Sequence, residues 1–481
     1  MASITYDEAA HLLRRMGFGG PPDEIDGLVA RGREGAVDYL INYSQIDNKP
    51  LDDILAASFD FTDIRDNRKV NQGEIRRLWF TRMIHTRRQF EEKMTLFWHN
   101  HFATALSKVQ DIQMYNQNVT LRANALERFD TLLKKVAEDP AMIIWLDGNT
   151  NVLGSPNENF ARELQELFTM GITDVVTGEA NYTEDDVKEI ARAFTGYNFR
   201  VNRNAATIET LYQFFINAAR HDNTAKTVYG QTANFTGDDI ITIIANRRAT
   251  GRYLVKKLFD FFVYPITSSS ADRQTVDKFS NVYVSSNHSI KELVRAIFVS
   301  DEFYSDRARF ALVKQPVEFI VGAIRMLGGQ YVPGTNTGDR PDVSNVPAAF
   351  SRSMGEDIYN PPDVAGWELN LGWVNTATML ERFNYTNQLL TNRRPDRPGI
   401  FITNDQLKKY TKSSSKKTVK KFLTVLGPLD TGNATVKTLK NYLETDDNGN
   451  AVGYTNNDAT VDKKIRGLVH QIMCLPEFQL N

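Results

Sequence analysis

The chain has 481 residues, 41% of them hydrophobic, which suits one large domain or two to three smaller ones and excludes a wholly disordered chain or a fibre. Its 57 Lys plus Arg against 59 Asp plus Glu leave no net field that would draw the whole molecule to nucleic acid or an anionic membrane. A single cysteine, Cys474, excludes an internal disulfide and a zinc site of several thiolates, so histidine and carboxylate are the ligand types left.

In chain order, Thr5 followed by Glu8 predicts a capping box. Ala9, Leu12, Leu13 and Met16 then recur at helical spacing until Gly17, Gly19 and Gly20 stop the run. Further helical patterns cover 22–32, 71–102 in at least two pieces, 112–137, 157–170 and 184–195. Between Tyr197 and Phe215 the period changes to alternation, which predicts a small β-hairpin. Helical spacing returns over 237–262, 271–279, 289–299 and 317–326, with Asp238 and Asp239 favouring a helix start. The Gly-, Pro-, Asn- and Asp-rich segments 328–345 and 359–372 read as long loops or a boundary. A last helical group covers 376–391, 417–426, 436–443 and 461–473. The lysine-rich run 408–417 reads as a solvated linker and helix start, with nucleic-acid binding the weaker alternative. The fold class expected is mainly α: a large multi-helix orthogonal bundle with a small β-hairpin near 197–216. Residues 1–395 would form its main domain, with a C-terminal helical region, 396–481, packed on it.

The start, Met1-Ala2-Ser3, has neither a basic patch nor an apolar run, and no hydrophobic stretch reaches about 18 residues without a polar break. The expectation is a cytoplasmic chain with no membrane span, or a periplasmic or extracellular one if a leader has been removed.

Several stretches stand out together: His11-Leu12-Leu13-Arg14-Arg15-Met16-Gly17-Phe18-Gly19, Phe97-Trp98-His99-Asn100-His101-Phe102-Ala103-Thr104, Trp145-Leu146-Asp147-Gly148, and Pro156-Asn157-Glu158-Asn159-Phe160-Ala161-Arg162-Glu163-Leu164. Tyr182 to Gly196, Arg220-His221-Asp222 with Lys226-Thr227, and Asn360-Pro361-Pro362-Asp363-Val364-Ala365-Gly366-Trp367 follow in the same order. Through these the chain resembles the bacterial, uncharacterised family named for domain of unknown function 1800 (DUF1800). The resemblance runs from the start to Asn387, and Leu475-Pro476-Glu477-Phe478-Gln479 is similar to the family's ending. It implies no nameable reaction. It does imply frequent export and a neighbouring gene for a sulfatase-like protein, a candidate partner. The chain departs from the family in lacking a recognisable leader and in placing Glu368-Leu369-Asn370-Leu371 where a glycine-rich step is common.

Among residues that could carry chemistry, His99 and His101 invite a metal reading. On a helix, however, residues two apart point about 200° apart, and one ion cannot take both. His101 falls with Met94 and Phe97 on the apolar face, either as a buried structural histidine or as a ligand; His99 is expected on the far side. On the 157–170 helix, Asn159, Arg162, Glu163 and Glu166 form one polar stripe. It is either surface ion pairing, Glu158 to Arg162 and Arg162 to Glu166, or the setting of a partly buried base, Glu163. Asn157 and Asn159 could instead serve the helix start. His221-Asp222 sits at a strand-to-loop exit, where the pair could reach an ion or Asp222 could simply form a turn. Lys226 could hold an anionic group or be solvated. Trp98, Trp145, Trp367 and Trp373 fill a core or line a groove.

Familiar catalytic motifs are absent: no phosphate-cradling loop, no dinucleotide turn, no His-Glu-x-x-His and no Gly-x-Ser-x-Gly. The leading expectation is an enzyme of metal-assisted hydrolysis, ahead of oxidation. In it His101, His221 and Asp222 ligate one divalent ion, Glu163 is the base, Arg162 clamps an anionic group and His99 assists. Trp98, Trp145, Trp367, Asn159 and Glu166 complete the binding set. The alternatives are a scaffold for the sulfatase-like partner, and a ligand-binding module with a tryptophan-lined groove.

Overall fold

The structure, a computed structural model, describes residues 3–61, 70–334, 346–391 and 398–481. Its helices start where local sequence demands. Thr5 Oγ1 accepts the Glu8 backbone N–H at 3.2 Å while the Thr5 N–H donates to the Glu8 carboxylate at 2.8 Å, opening the helix Tyr6–Met16. The same reciprocal cap, Thr183 with Asp186 and Thr236 with Asp239, opens Glu184–Ala193 and Gly237–Ala245.

Long predicted runs are cut at residues with non-helical backbone. The 71–102 pattern becomes Gln72–His85 and Gln89–His101. The 112–137 pattern becomes Asp111–Ala123 and Phe129–Ala137. Arg247, at φ -72 and ψ 136, separates Gly237–Ala245 from Arg248–Phe262. The helix expected over 157–170 is shorter, Asn159–Glu166, and the chain beyond it turns, with the Phe168 N–H on Glu163 O and the Met170 N–H on Gln165 O, both at 3.0 Å.

The expected hairpin is present, Tyr197–Val201 against Tyr212–Ile216. Two further antiparallel ladders, Lys226–Val228 with Gln231–Ala233 and Gln330–Val332 with Gly399–Phe401, were not expected, since three-residue strands leave almost no alternation to read. The boundary expected at 395/396 and the loop beyond 334 lie outside the described residues. In the lysine-rich run, lysines 408, 409, 412, 416 and 417 face solvent between the helices Asn404–Lys408 and Ser415–Val425. No helix among the described residues is long and apolar enough to cross a membrane.

One cluster of buried side chains runs from Ile4 to Phe478, with Gln72–His85 and Gln89–His101 at its centre. Trp79, Phe80, Phe90, Met94 and Trp98 on these two helices are wholly buried. The pair also buries charge that is matched: Glu92 accepts from Arg82 (2.7 Å), Arg122 (3.0 Å) and the Trp79 indole N–H (3.0 Å).

Candidate functional site

The Gln89–His101 helix ends in three polar residues that point to three different neighbours. His99 Nε2 accepts the Tyr359 backbone N–H at 3.0 Å, Asn100 Oδ1 accepts the Trp367 N–H at 2.7 Å, and His101 Nε2 lies 2.9 Å from the Phe168 carbonyl, to which it donates. Because consecutive helix positions turn by about 100°, one short segment can hold three separate stretches of chain. His99 was expected away from the core, and here the structure corrects the sequence reading. Both histidines are buried, since this helix is packed on every side, and His99 sits among Trp79, Tyr359 and Trp367. Burial pushes both imidazoles down to about 3, so each is neutral near pH 7. As an acceptor at Nε2, His99 carries its proton on Nδ1; His101 has the opposite tautomer, and its Nδ1 is buried without a partner among the described residues.

The loop held this way is strained. Tyr359 has φ 67, a left-handed conformation that a bulky residue rarely adopts, and its carbonyl accepts the Leu106 N–H at 2.9 Å. Gly366 has φ 84, and a Cβ there would lie 2.2 Å from Asn100 Oδ1, so only glycine fits. Asn370, at φ 59, is also left-handed. On the other side of Tyr359, Arg76 donates to Ile358 O at 3.1 Å and pairs with Asp357 at 2.9 Å; Arg352 pairs with the same carboxylate at 3.2 Å.

Between these walls lies a cleft of two joined lobes of about 260 and 440 Å³, which share Gln72, Leu106 and Ser107. Arg76, Arg352, Asp357 and Asn360 line the first lobe; Lys108, Gln110 and Asp111 line the second. Burial pushes the Asp111 carboxyl up, against the pull of Arg76. The cleft is thus walled by residues in or beside two of the motifs singled out from the sequence.

The family model described as "Protein of unknown function (DUF1800)" matches residues 11–480. The chain belongs to the DUF1800 family. Comparison with curated proteins and with solved structures returned no match.

Most of the other residues singled out in this DUF1800 chain are closed by near neighbours, Glu163 excepted. Arg162 pairs with Glu158 at 3.3 Å, as its spacing predicts, and with Glu184 at 2.8 Å; Glu166 accepts the Tyr182 hydroxyl at 3.2 Å in place of the expected Arg162 pairing. Glu163 is half-buried and its carboxylate has no hydrogen bond among the described residues; burial and then Glu166 push its pKa up, with Arg162 opposing. The Asn159 N–H donates to Asn157 Oδ1 at 2.9 Å, so Asn157 serves the helix start. His221 Nδ1 lies 2.8 Å from Thr195 O. Asp222 receives the Arg192 guanidinium at 2.8 Å and the Thr224 N–H and hydroxyl at 2.9 and 2.5 Å; burial alone would push its carboxyl up, but these donors hold it well below the usual carboxylate range. Lys226, wholly buried, donates to Asp222 O at 2.7 Å and Thr224 O at 2.9 Å. Among the described residues no group of three or more His, Cys, Asp or Glu is arranged to hold a metal ion, so His101, His221 and Asp222 do not share one coordination shell.

The tryptophans pack inward. Trp98 is wholly buried with its indole N–H on Ala125 O at 2.9 Å, Trp367 and Trp373 are buried, and Trp145 is half-buried with its carbonyl accepting from Lys108 at 3.0 Å. Sequence reasoning missed Arg76, Ser107, Arg352 and Asp357. The one local signal was Arg76-Arg77 inside the otherwise apolar run from Ile75 to Phe80, where a buried helix must find partners for charge.

Proposed function

We propose that this DUF1800 protein binds a small polar ligand in the cleft beside Tyr359, as a helical scaffold whose motif residues hold the cleft walls. The observation that supports this is the strained Tyr359, fixed from both backbone groups by His99 and Leu106 at the edge of a cavity lined with polar side chains. Strain persists only where the surroundings over-determine it, and such positions concentrate at functional sites. The test is a thermal-shift screen of sugars, organic acids and phosphorylated compounds against wild type and Ser107→Trp, which fills the shared neck of the cleft. Stabilising compounds should lose their effect in Ser107→Trp; compounds that act equally on both proteins would place the site elsewhere. In a scaffold role the sulfatase-like protein of neighbouring genes is the natural partner, and co-purification of the two chains tests that.

A second reading, metal-assisted hydrolysis with Glu163 as base, is favoured by that carboxylate's being half-buried and without a hydrogen bond among the described residues. It requires His101, His221 and Asp222 to leave their present partners for one divalent ion. Elemental analysis of purified protein decides it: a stoichiometric ion lost in His221→Ala supports metal chemistry, and the cleft reading expects none.

A further inference from the structure

The two arginines of the cleft are not equivalent. Arg76 has a side chain only 4% exposed, and its guanidinium is fully engaged: Nε on Ile358 O, Nη1 on Gln72 O at 3.3 Å, Nη2 on Asp357 Oδ2 at 3.2 Å. Arg352 is 57% exposed, and among the described residues its single partner is Asp357, met through Nε. Asp357 therefore stands between two cations. Its charge is matched by the buried Arg76, while Arg352 meets it through Nε alone, and the two Nη groups have no acceptors among the described residues.

The rest of the lining is consistent with a polar guest. Gln72, Ser107 and Asn360 are neutral hydrogen-bonding groups around the same lobe. Lys108 does not compete for that guest, because Asp147 (2.8 Å) and Trp145 O (3.0 Å) already hold it. The remaining acid, Asp111, lines the second lobe, with the Gln72 backbone and Arg76 acting on its carboxyl from the side of the first.

We propose that the Arg352 end of this cleft takes an oxyanion, a carboxylate or phosphate group, on the Nη edge of Arg352, with Asn360, Ser107 and Gln72 completing its hydrogen bonds. Asp357 and Arg76 are positioning residues that fix the angle of that fork. Asp111 disfavours a second negative group in the adjoining lobe, so the guest carries one oxyanion and a neutral or donor-rich remainder. This rests on the cleft reading above and adds the charge class of the ligand.

The experiment titrates inorganic phosphate, acetate and glucose separately into the full chain at constant ionic strength, following the unfolding temperature, for wild type, Arg352→Gln, Arg352→Lys and Ser107→Trp. Expected is a saturable rise with phosphate or acetate. It should be weakened about tenfold or more in Arg352→Gln, less so in Arg352→Lys, which keeps the charge and loses the fork, and abolished in Ser107→Trp. The anion that produces the rise identifies the group as phosphate or carboxylate. Stabilisation by glucose that Ser107→Trp removes and Arg352→Gln leaves intact, with no response to either anion, overturns the oxyanion while leaving the cleft as the site. Anion binding undiminished in Arg352→Gln overturns it as well. No saturable response to any of the three probes overturns both this inference and the cleft reading.

Discussion

The His221-Asp222 corner and the cleft beside Tyr359 are built from the same kinds of residue, and they differ in what is left open. At the corner, Asp222 meets Arg192 from the helix Glu184–Ala193 and Thr224, and Lys226 turns onto the carbonyls of its own loop, so both charges are engaged. At the cleft, one carboxylate faces two guanidinium groups, and the outer one has donors to spare beside a cavity. Identity of residue type therefore says little about function; the number of partners that burial brings to each group says more.

The comparison breaks most sharply at Gly366. Gly366→Ala forces a side chain into Asn100 at a positive φ, and the expected loss is about 3 kcal/mol in chemical denaturation, with the cleft loop released. A loss under about 0.5 kcal/mol would mean that Asn100 does not hold the loop. His99→Leu leaves the buried Tyr359 N–H without an acceptor, for an expected loss of about 2 kcal/mol.

Acid separates the two regions in kind. His99 and His101 have folded values near 3, below the unfolded value of about 6.5, so the stability they supply is complete above pH 6.5 and falls as protons bind the unfolded chain first. Each should lose about 1 kcal/mol between pH 6.5 and 5.5, and His99→Leu should show a smaller acid loss over that window than wild type. Asp222 is also depressed, but from an unfolded value of about 3.9; its contribution is present at neutral pH and is lost only as pH falls below about 4. Asp222→Asn should accordingly cost about 1 kcal/mol at pH 7, with the gap to wild type narrowing in stronger acid. The smallest effect belongs to Arg162→Ala, under about 1 kcal/mol, because its pairs with Glu158 and Glu184 are partly exposed. A larger loss would give that stripe a role its geometry does not supply.

Much of the fold was legible in the sequence and less of the site. Capping boxes at Thr5, Thr183 and Thr236, and the alternation that makes Tyr197–Val201 a strand, act over a few residues and can be read locally. The shortening of 157–170 and the third ladder, Gln330–Val332 with Gly399–Phe401, depend on distant chain. His99 and His101 were visible as unusual residues, and helical spacing, if the segment was a helix, argued against a shared ion. Arg76 was passed over because its carboxylate partner lies 281 positions away, and Arg352 because Asp357 follows the end of its helix, Val346–Ser353, where helical spacing predicts no pairing.

By itself the sequence determined the helical class, most helix starts and the family, because caps, apolar period and motif order are properties of neighbouring residues. Tertiary structure alone decided that His99 is buried with its Nε2 occupied by a residue 260 positions away, that Arg76 reaches Asp357 across 281, and that Arg352 keeps two donors without acceptors among the described residues. The physical reason is that the cost of burying a polar group depends on whether an acceptor or counter-charge arrives with it, and here those partners come from the far end of the chain.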